Sequence, residues 1–432
     1  MLKNKKSPLI SVIGLGYVGL PLALEFSKKY KVVGFDLDKS RIKELKNGND
    51  RTSEISKETL LDLKDLVLSY NIQDVEKSDI YIITVPTPVD KNNSPDLEPI
   101  KSASLSISPF INKGNIIIYE STVFPGCTEE VCVPILEKKS KLKYNKDFFC
   151  GYSPERINPG DKINTLKKIV KITSGSNPEI ACYIDHLYKT IITAGTYKAP
   201  SIAIAEAAKV IENTQRDVNI ALVNELSIIF NKLNLDTIEV LKAAETKWNF
   251  IPFRPGLVGG HCIGVDPYYL TFKATEMGYY PEVILSGRKI NDGMGNFIAD
   301  KVIFELARKN INPNGAKVAI LGLTFKEDCP DLRNTKVVSI INRLKSFECE
   351  IVVSDEHANL DEAKEEYNLE LEKLDKIENK DVLIIAVGHN EYKRLNKNRL
   401  LEMLNGNGIL IDVKSVFDKE LFNNTKITYW KL

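Results

Sequence analysis

The 432-residue sequence lacks the features that mark several classes of protein. Lys and Arg number 59 against 58 Asp and Glu, so a net charge of +1 offers no broad field for nucleic acid or anionic membranes. No run of 18 apolar residues occurs, and the N-terminus leads into a short strand pattern rather than a signal-peptide core. Seven irregularly spaced cysteines form no C-x-x-C pair, which argues against disulfides and zinc. We therefore expect a cytoplasmic protein without metal, nucleic-acid or membrane partners.

What the sequence does contain is the alternation of a doubly wound α/β fold. Short β-branched runs separated by helical patterns occupy residues 9–13, 31–35, 79–85 and 115–119. After the turn-forming segment Asn312 to Gly315, similar runs occupy residues 317–322, 350–353, 381–387 and 408–413. Each set predicts a parallel sheet covered by helices.

Between the two sets, the pattern predicts one long helix from Ser201 to Leu233. Nine of the fourteen residues from Asp217 to Phe230 are apolar, so this helix should be buried against its own domains or a second subunit. The expected architecture is two Rossmann-like doubly wound domains joined by a long central helix and a small helical domain. The expected boundaries are 1–198, 199–308 and 309–432.

The first strand is followed by a dinucleotide-binding motif. Gly14, Gly16 and Gly19 form G-x-G-x-x-G, with Tyr17 and Val18 between the last two glycines, before a predicted helix. The glycines permit a tight turn, close approach of a pyrophosphate, and close packing of helix on strand. The second strand ends at Asp36, 20 residues after Gly16, where a carboxylate can accept hydrogen bonds from ribose hydroxyls. This pattern predicts NAD rather than NADP.

Further side chains near this motif are candidates for the cofactor site. Arg41 is expected either to lie along the adenine or to pair with Asp38. Thr84 and Thr87 follow the third predicted strand, and Thr122 follows the fourth. Ligands bind at the carboxyl ends of strands in open α/β sheets, so these hydroxyls suit ribose or nicotinamide, although helix caps and turns are an equal alternative.

A glycine-rich segment around Cys262 is the strongest signal for covalent chemistry. Residues 253–267 read F-R-P-G-L-V-G-G-H-C-I-G-V-D-P, a loop whose backbone can approach a ligand closely. Asp266 lies four residues after the thiol and can orient a water or a proton beside it. On the long helix, Lys209 and Asn213 are spaced i and i+4 and share one face, where a lysine needs a partner or a function.

Together, NAD and a thiol predict more than one oxidation. Hydride transfer from an alcohol needs a base, whereas a thiolate becomes useful at the aldehyde stage. Its addition to the carbonyl gives a thiohemiacetal, loss of a second hydride gives a thioester, and hydrolysis gives an acid. The residues therefore indicate conversion of a primary alcohol to a carboxylate with two NAD.

The whole chain resembles the UDP-glucose/GDP-mannose dehydrogenases, which oxidise the primary alcohol of nucleotide sugars to uronic acids. The resemblance is carried by the glycine motif, Ser121-Thr122-Val123, Ser153-Pro154-Glu155, Lys209-x-x-x-Asn213, Gly259-Gly260-His261-Cys262 with Asp266, and Gly322-Leu323-Thr324-Phe325-Lys326. Residues 153–161 and 248–250 are most similar to the branch that acts on UDP-N-acetylhexosamines for capsule or O-antigen precursors.

The resemblance implies a role for each matching residue. Cys262 is implied as the nucleophile, Lys209 and Asn213 as stabilisers of oxyanions and water, Asp266 and Thr122 as neighbours of that water, and Glu155 as a candidate base. The implied substrate-binding residues are Glu155, Arg156, Lys209, Asn213, Arg254, Gly259, Lys326 and Lys414. Arg333 is implied at the cofactor. The long helix is expected to form a homodimer interface.

Some points stay open at this level. The glucose-oxidising branch has a second acid where this chain has Pro159, so the hydrolytic base is undecided, as are the role of His261 and the sugar epimer. Alternative substrates are UDP-glucose and UDP-N-acetylmannosamine. A one-step β-hydroxyacid dehydrogenase explains neither Cys262 nor the third domain, and a non-catalytic NAD-sensing scaffold is the alternative of another class.

Overall fold

The computed structural model describes residues 7–52, 54–62, 65–90, 92–157, 163–260 and 262–432. The chain divides into two compact units. The N-terminal unit comprises residues up to 212 together with 268–280, and the C-terminal unit comprises 213–267 together with 281–432. In the described part of the chain, none of the helices is both long and apolar enough to cross a bilayer.

An eight-stranded sheet forms the centre of the N-terminal unit. Its strands are β1 (Ile10–Ile13), β2 (Val32–Phe35), β3 (Leu66–Ser69), β4 (Ile80–Ile83), β5 (Ile116–Tyr119), β6 (Phe149–Tyr152), β7 (Lys171–Gly175) and β8 (Thr196–Lys198). The order is β3-β2-β1-β4-β5-β6-β7-β8, and the pairing is parallel except between β6 and β7. The order of the first five strands is that of a Rossmann fold, which the sequence predicted.

Six helices cover this sheet. They are α1 (Gly19–Ser27), α2 (Lys39–Lys46), α3 (Lys57–Leu61), α4 (Glu98–Ile107), α5 (Val133–Ser140) and α6 (Pro178–Lys189). Strands β1, β2, β4 and β5 are wholly buried, and apolar side chains of α1, α2, α3 and α6 join them in one hydrophobic core. The four strands predicted here are confirmed to within two residues at each end, whereas β3 and β6 to β8 were not predicted.

A single helix, α7 (Ile202–Lys232), runs 31 residues from the N-terminal unit into the C-terminal unit. It begins and ends within one residue of its predicted bounds. Its own chain covers only part of this helix, because Ile204, Ile211, Leu222 and Ile229 are 43% to 55% exposed. Three further helices complete this central region: α8 (Thr237–Glu245), α9 (Asp266–Glu276) and α10 (Glu282–Arg308).

The remainder of the C-terminal unit is a second Rossmann-like layer. Its parallel strands are β9 (Lys317–Leu321), β10 (Glu350–Ser354), β11 (Lys380–Ile385), β12 (Leu404–Asp412) and β13 (Thr428–Lys431), in the order β10-β9-β11-β12-β13. The helices are α11 (Val337–Lys345), α12 (Leu360–Tyr367), α13 (Asn390–Lys393) and α14 (Lys397–Met403). Four strands match the prediction, and β13 is additional. The fold class is therefore α/β with two Rossmann-like layers and a long central helix.

Candidate functional site

The glycine motif forms a tight turn between β1 and α1. Gly14 has a φ of +97° and donates its N–H to Phe35 at 2.8 Å. A Cβ on Gly19 would collide with the Gly14 carbonyl and the Thr84 hydroxyl, whereas a Cβ on Gly16 would meet nothing within 4 Å. The turn is therefore closed on its inner side and open at Gly16, where a pyrophosphate needs access to backbone N–H groups.

Asp36 follows β2 and fixes the loop beside the glycine turn. Its Oδ2 accepts the N–H of Leu15 at 2.8 Å, and its Oδ1 accepts the N–H of Asp38 at 2.9 Å. Arg41 is buried and donates to the Leu15 carbonyl at 3.0 Å and to Asp50 at 2.7 Å. The expected pairing of Arg41 with Asp38 is wrong, because the buried Asp50 neutralises Arg41 within the loop.

The side chain that pairs with Asp38 is Arg51, at 3.1 Å. Hydrogen bonds from Ser40 and the backbone, together with the Arg51 charge, lower the pKa of Asp38 to about 2 against the opposing effect of burial.

Two of the hydroxyls near the glycine turn donate hydrogen bonds to backbone carbonyls of the protein. Thr84 donates to the Gly14 carbonyl at 2.7 Å, and Ser121 donates to Val85 at 2.6 Å. Thr87 and Thr122 stay half-buried candidates for ligand contact.

A buried charge cluster adjoins Glu155 in the N-terminal unit. The Lys171 ammonium on β7 lies 2.6 Å from Glu120 and 3.5 Å from Glu155, with Glu120 fully buried. Glu120 also accepts the Tyr188 hydroxyl. Glu155 accepts the N–H groups of Arg156 and Ile157 at 2.6 and 2.5 Å. Glu155 is therefore held in one orientation, which sequence reasoning could not show because Lys171 is distant in the chain.

Two more predicted residues lie on or beside α7 in the same unit. Lys209 is buried, and Glu206 one turn earlier accepts the N–H groups of Gly126 and Thr128 at 2.6 and 2.9 Å. Burial raises the pKa of Glu206 to about 6, against the hydrogen bonds of Thr128. Arg156 pairs with Glu212 on α7 at 2.8 Å.

Cys262 lies at the start of a tight turn that leads into α9. The N–H groups of Val265 and Asp266 donate to the Cys262 carbonyl at 3.1 and 2.8 Å. Asp266 is the first residue of α9, is almost fully buried, and accepts the Asn213 amide at 2.6 Å. Three of the predicted catalytic residues are therefore connected: the Asn213 amide holds the Asp266 carboxylate one turn beyond the half-buried Cys262.

The other flank of the cysteine loop is held by a residue that sequence reasoning missed. Asn224, fully buried on α7, accepts the Gly256 N–H at 2.8 Å and donates to the Gly256 carbonyl at 3.0 Å. Asn213 and Asn224 are separated by 11 residues, which is three turns of helix. The long helix therefore holds the loop before and after the thiol.

A small cavity of about 20 Å³ brings three predicted substrate residues together in the C-terminal unit. Gly259, Lys326 and Lys414 line it, together with Lys336. Its remaining lining residues are Leu257, Thr324, Phe325, Glu327, Thr335, Val337, Ala386 and Val387. Three lysines and one carboxylate give this surface a net positive charge, which favours the binding of an anion. Lys414 pairs with Glu327 at 2.7 Å, so an incoming anion has to compete with this carboxylate.

The other two predicted cations of this unit are engaged in ion pairs. Arg333 binds Asp331 through two nitrogens at 2.9 and 2.5 Å, and Arg254 pairs with Glu245 while its side chain stays 43% exposed. His261 and Pro159, to which no role was assigned, lie outside the described residues. The predicted residues Thr122, Glu155, Arg156 and Lys209 belong to the N-terminal unit, whereas Asn213, Arg254, Gly259, Cys262, Asp266, Lys326, Arg333 and Lys414 belong to the C-terminal unit.

Beside the cavity, a histidine cluster secures the loop that carries Lys326. His389 is buried; its Nδ1 accepts the Asp328 N–H at 2.9 Å and its Nε2 lies 3.1 Å from Asp355. Asp355 in turn accepts the N–H groups of Leu323 and Thr324 at 2.6 and 2.9 Å. The group Asp328, His357, His389 and Glu391 has the donor types of a metal site, but the Nδ1 lone pair of His389 already accepts a hydrogen bond. We interpret the cluster as an anchor for the loop.

Comparisons with known proteins show one family over nearly the whole chain. Three models of the UDP-glucose/GDP-mannose dehydrogenase family match: the NAD binding domain at residues 8–192, the central domain at 203–293 and the UDP binding domain at 319–419. A UDP-N-acetyl-D-glucosamine 6-dehydrogenase of Pseudomonas aeruginosa is 53% identical over 411 residues, which cover 95% of this chain and 97% of that protein. Protein CapL of Staphylococcus aureus is 53% identical over 423 residues, 98% and 99% of the two chains.

Solved structures show the same architecture. The UDP-D-ManNAc dehydrogenase of Pyrococcus horikoshii superposes with a TM-score of 0.88 at 29% identity and covers 98% of both chains. A native structure of the UDP-N-acetyl-mannosamine dehydrogenase of Staphylococcus aureus gives a TM-score of 0.82 at 29% identity, again over 98% of each chain. The similarity therefore extends over both Rossmann-like layers and the central helices.

Proposed function

Because the chain belongs to the UDP-glucose/GDP-mannose dehydrogenase family, and is thus an NAD-dependent UDP-sugar dehydrogenase, we propose that its substrate is a UDP-N-acetylhexosamine. The reaction converts the 6-hydroxymethyl group to a carboxylate in two oxidations. The product is a uronic acid for capsule, O-antigen or another surface polysaccharide. Seven free thiols are consistent with a reducing cytoplasm.

The preference for an acetamido sugar rests on the relatives that are 53% identical over nearly the whole chain. These proteins bear the name UDP-N-acetyl-D-glucosamine 6-dehydrogenase, whereas the UDP-N-acetyl-D-mannosamine dehydrogenase of Methanocaldococcus jannaschii is 32% identical. A site built to hydrogen-bond an acetamido group leaves buried polar atoms unpaired with a plain hydroxyl, which costs orders of magnitude in kcat/KM.

The cofactor residues fit NAD. Gly14, Gly16, Tyr17, Val18 and Gly19 provide the open turn for the pyrophosphate, and Asp36 provides the carboxylate for the ribose. When bound there, NAD supplies the hydride acceptor for each oxidation. Thr87, Thr122 and Arg333 complete the proposed contacts, and Arg41 acts from within the protein by holding the Leu15 carbonyl beside the glycine turn.

The first oxidation takes a hydride and a proton from the alcohol and leaves an aldehyde. The Cys262 thiolate then adds to the aldehyde carbon, and the carbonyl oxygen takes up a proton to give a thiohemiacetal. Loss of the second hydride and of that proton gives a thioester. Lys209 and Asn213 stabilise the negative charge on oxygen as each tetrahedral species forms.

Hydrolysis completes the reaction. Water adds to the thioester carbon, the C–S bond breaks, and Cys262 leaves as the thiolate. Asp266 orients this water, and Glu155 is the candidate base that accepts its proton. The observation that carries this proposal is the 2.6 Å hydrogen bond between Asn213 and Asp266, because it fixes an amide and a carboxylate one helical turn beyond the thiol.

A homodimer through α7 is part of this proposal. Ile204, Ile211, Leu222 and Ile229 are spaced by 7, 11 and 7 residues. On an α-helix these spacings return to within about 20° of the same direction, so the four side chains form one exposed apolar stripe. An exposed stripe of this kind marks an interaction surface, and a second copy of α7 presents the matching surface about a twofold axis.

Stoichiometry tests the chemistry. We expect two NADH per UDP-N-acetylhexosamine consumed, measured by absorbance at limiting substrate. One NADH would instead indicate a one-step dehydrogenase, and none a non-catalytic scaffold.

The identity of the sugar is tested by comparison of kcat/KM for UDP-N-acetylglucosamine, its galactose and mannose epimers and UDP-glucose. A clear preference for UDP-glucose or UDP-N-acetylmannosamine would overturn the assignment of the sugar.

The variant Cys262→Ser tests the covalent step. It should abolish acid formation while binding of NAD and UDP, measured by calorimetry, is retained, because a serine hydroxyl is a far weaker nucleophile at neutral pH. Cys182, which is exposed in the N-terminal unit, offers the matched control Cys182→Ser, for which we expect wild-type turnover. Undiminished acid formation by Cys262→Ser would exclude the thioester.

A further inference from the structure

We infer that a buried polar relay connects Lys336, in the nucleotide cavity, to the loop that carries Cys262, and that Asn224, Asp217 and Arg288 are positioning residues for this loop. The inference rests on the proposed function, since it takes Cys262 as the nucleophile and a nucleoside diphosphate as the ligand of the cavity. All of these residues belong to the C-terminal unit.

The relay begins at the loop. Asn224 satisfies both backbone groups of Gly256 and also donates to the Asn291 side chain on α10 at 2.8 Å. Asn291 donates to the carboxylate of Asp217 on α7 at 2.7 Å. Asn224, Asn291 and Asp217 are all fully buried, so each hydrogen bond here is costly to leave unmade.

The relay continues through Arg288, which is 2% exposed on α10. Its guanidinium donates to Asp217 at 2.6 Å and to Asp292 at 2.6 Å. The hydrogen-bonded group therefore runs from Asp292 through Arg288 and Asp217 to Asn291 and Asn224. It meets the loop at the backbone of Gly256, six residues before Cys262.

The outer end of the relay is Lys336. Its ammonium lies 2.7 Å from the Asp292 oxygen that also accepts Arg288, and its side chain lines the cavity with Lys326 and Lys414. A diphosphate in the cavity competes with Asp292 for Lys336, because both are anions within reach of one ammonium. When Lys336 turns to the phosphate, Asp292 loses this cation, and its hydrogen bond with Arg288 changes.

The carboxylate of Asp217 allows its ion pair with Arg288 to adopt a second hydrogen-bonding arrangement. Its Oδ1 accepts both Asn291 and Arg288, while its Oδ2 is buried without a hydrogen-bond partner among the described residues. Arg288 can therefore exchange between one and two hydrogen bonds to Asp217 as its hold on Asp292 changes. A displacement of the guanidinium in this exchange is transmitted through Asn291 and Asn224 to the backbone of Gly256.

The test measures how UDP alters the reactivity of Cys262 in the full chain. The rate of alkylation by iodoacetamide is followed on the Cys262 peptide by mass spectrometry, with and without saturating UDP, since only the thiolate reacts. In the wild type we expect UDP to change this rate about fivefold or more. The exposed Cys182 serves as an internal reference and should react equally in both states.

Two variants on α10 separate the relay from simple shielding by UDP. Asp292→Asn weakens the link between Lys336 and Arg288 and should reduce the UDP effect to below about twofold. UDP affinity, measured by calorimetry, should be at least that of the wild type, because the competing carboxylate is gone. Asp300→Asn, which breaks the exposed pair of Asp300 with Arg343 on the same helix, should behave as the wild type.

An undiminished UDP effect in Asp292→Asn, or no UDP effect in the wild type despite binding, would overturn the relay. Failure of the wild type to bind UDP at all would instead refute the nucleotide cavity, and the relay with it. Asp292→Glu keeps a carboxylate at this position, and recovery of the UDP effect in it is expected.

Discussion

The buried lysine of the N-terminal unit allows a quantitative prediction. Lys171 and Glu120 are 3% and 0% exposed in their side chains, and the ammonium lies 2.6 Å from the carboxylate. In Lys171→Met the new side chain fills most of the space of the lysine methylene groups, but the positive charge is lost. Glu120 then stays buried without its cation. Removal of one partner from a buried pair costs about 3 to 5 kcal/mol. We expect this loss in the free energy of unfolding at pH 8.

The pH dependence of this stability difference follows from the pKa shifts of Glu120 and Lys171. Burial raises the pKa of Glu120 above its usual value even with Lys171 present. A carboxyl whose pKa is raised on folding stabilises the fold below its unfolded pKa, and this contribution is lost as pH rises through the folded value. In Lys171→Met the pKa of Glu120 should rise further, so the variant's deficit should be large at pH 8 and smaller toward pH 5.

The raised pKa of Lys171 also stabilises the folded state, and this contribution too is lost as pH rises. Burial acts to lower its pKa, but the charges of Glu120 and Glu155 outweigh this and raise the pKa overall. Its contribution to stability is therefore lost only above pH 10.5. Between pH 5 and pH 8 the titration of Lys171 itself therefore does not enter the comparison of the variant with the wild type.

Hydrogen exchange on peptides of β5 and β7 measures the local opening free energy. A loss of 3 kcal/mol corresponds to about a hundredfold faster exchange. The double variant Lys171→Met with Glu120→Gln should recover part of this loss, because the amide can still accept the Tyr188 hydroxyl. The exposed pair of Lys101 and Glu98 provides the control Lys101→Met, expected to cost about 0.5 kcal/mol or less. Equal exchange in Lys171→Met and the control would refute the reasoning.

Three further substitutions test other parts of the structure. Gly19→Ala should weaken NAD binding about tenfold or more by calorimetry, because its Cβ collides with the Gly14 carbonyl; unchanged affinity would contradict the tight turn. Lys414→Ala should raise the KM for the UDP-sugar about tenfold, for roughly 1.4 kcal/mol lost, and an unchanged KM would move the diphosphate elsewhere. Leu222→Lys should give a monomer by light scattering, because it places a charge in the proposed stripe; a persistent dimer would place the interface on another surface.

The sequence predicted the parts of the fold that depend on local pattern. Strands β1, β2, β4 and β5 are apolar runs buried on both faces, and the glycine turn needs only three residues at fixed spacing. The strands that were missed are less distinct. Strand β8 reads Thr-Tyr-Lys with two exposed residues, and β6 contains Gly151, which weakens a strand signal.

The contacts that hold the candidate site were beyond sequence reasoning for a different reason. Lys171 and Lys336 are two among 59 basic residues, and nothing in their immediate neighbours distinguishes them from surface lysines. Their partners Glu120 and Asp292 lie 51 and 44 positions away, so only the fold brings the charges together. Asn213 and Asp266 were each identified from sequence, but their hydrogen bond spans 53 positions and is a finding of the structure.

The hydrogen bonds between Asn224 and Gly256 imply that the two positions differ in their tolerance to mutation. At Gly256 these bonds use only the backbone, and a Cβ there would meet nothing within 4 Å. Many side chains should therefore be accepted at position 256 in a saturation-mutagenesis library. At position 224 even Asp should be rejected, because it cannot donate and would set a carboxylate against the Gly256 carbonyl. Of the two residues, Asn224 is therefore expected to be the less variable one, although it lies farther from Cys262 in sequence.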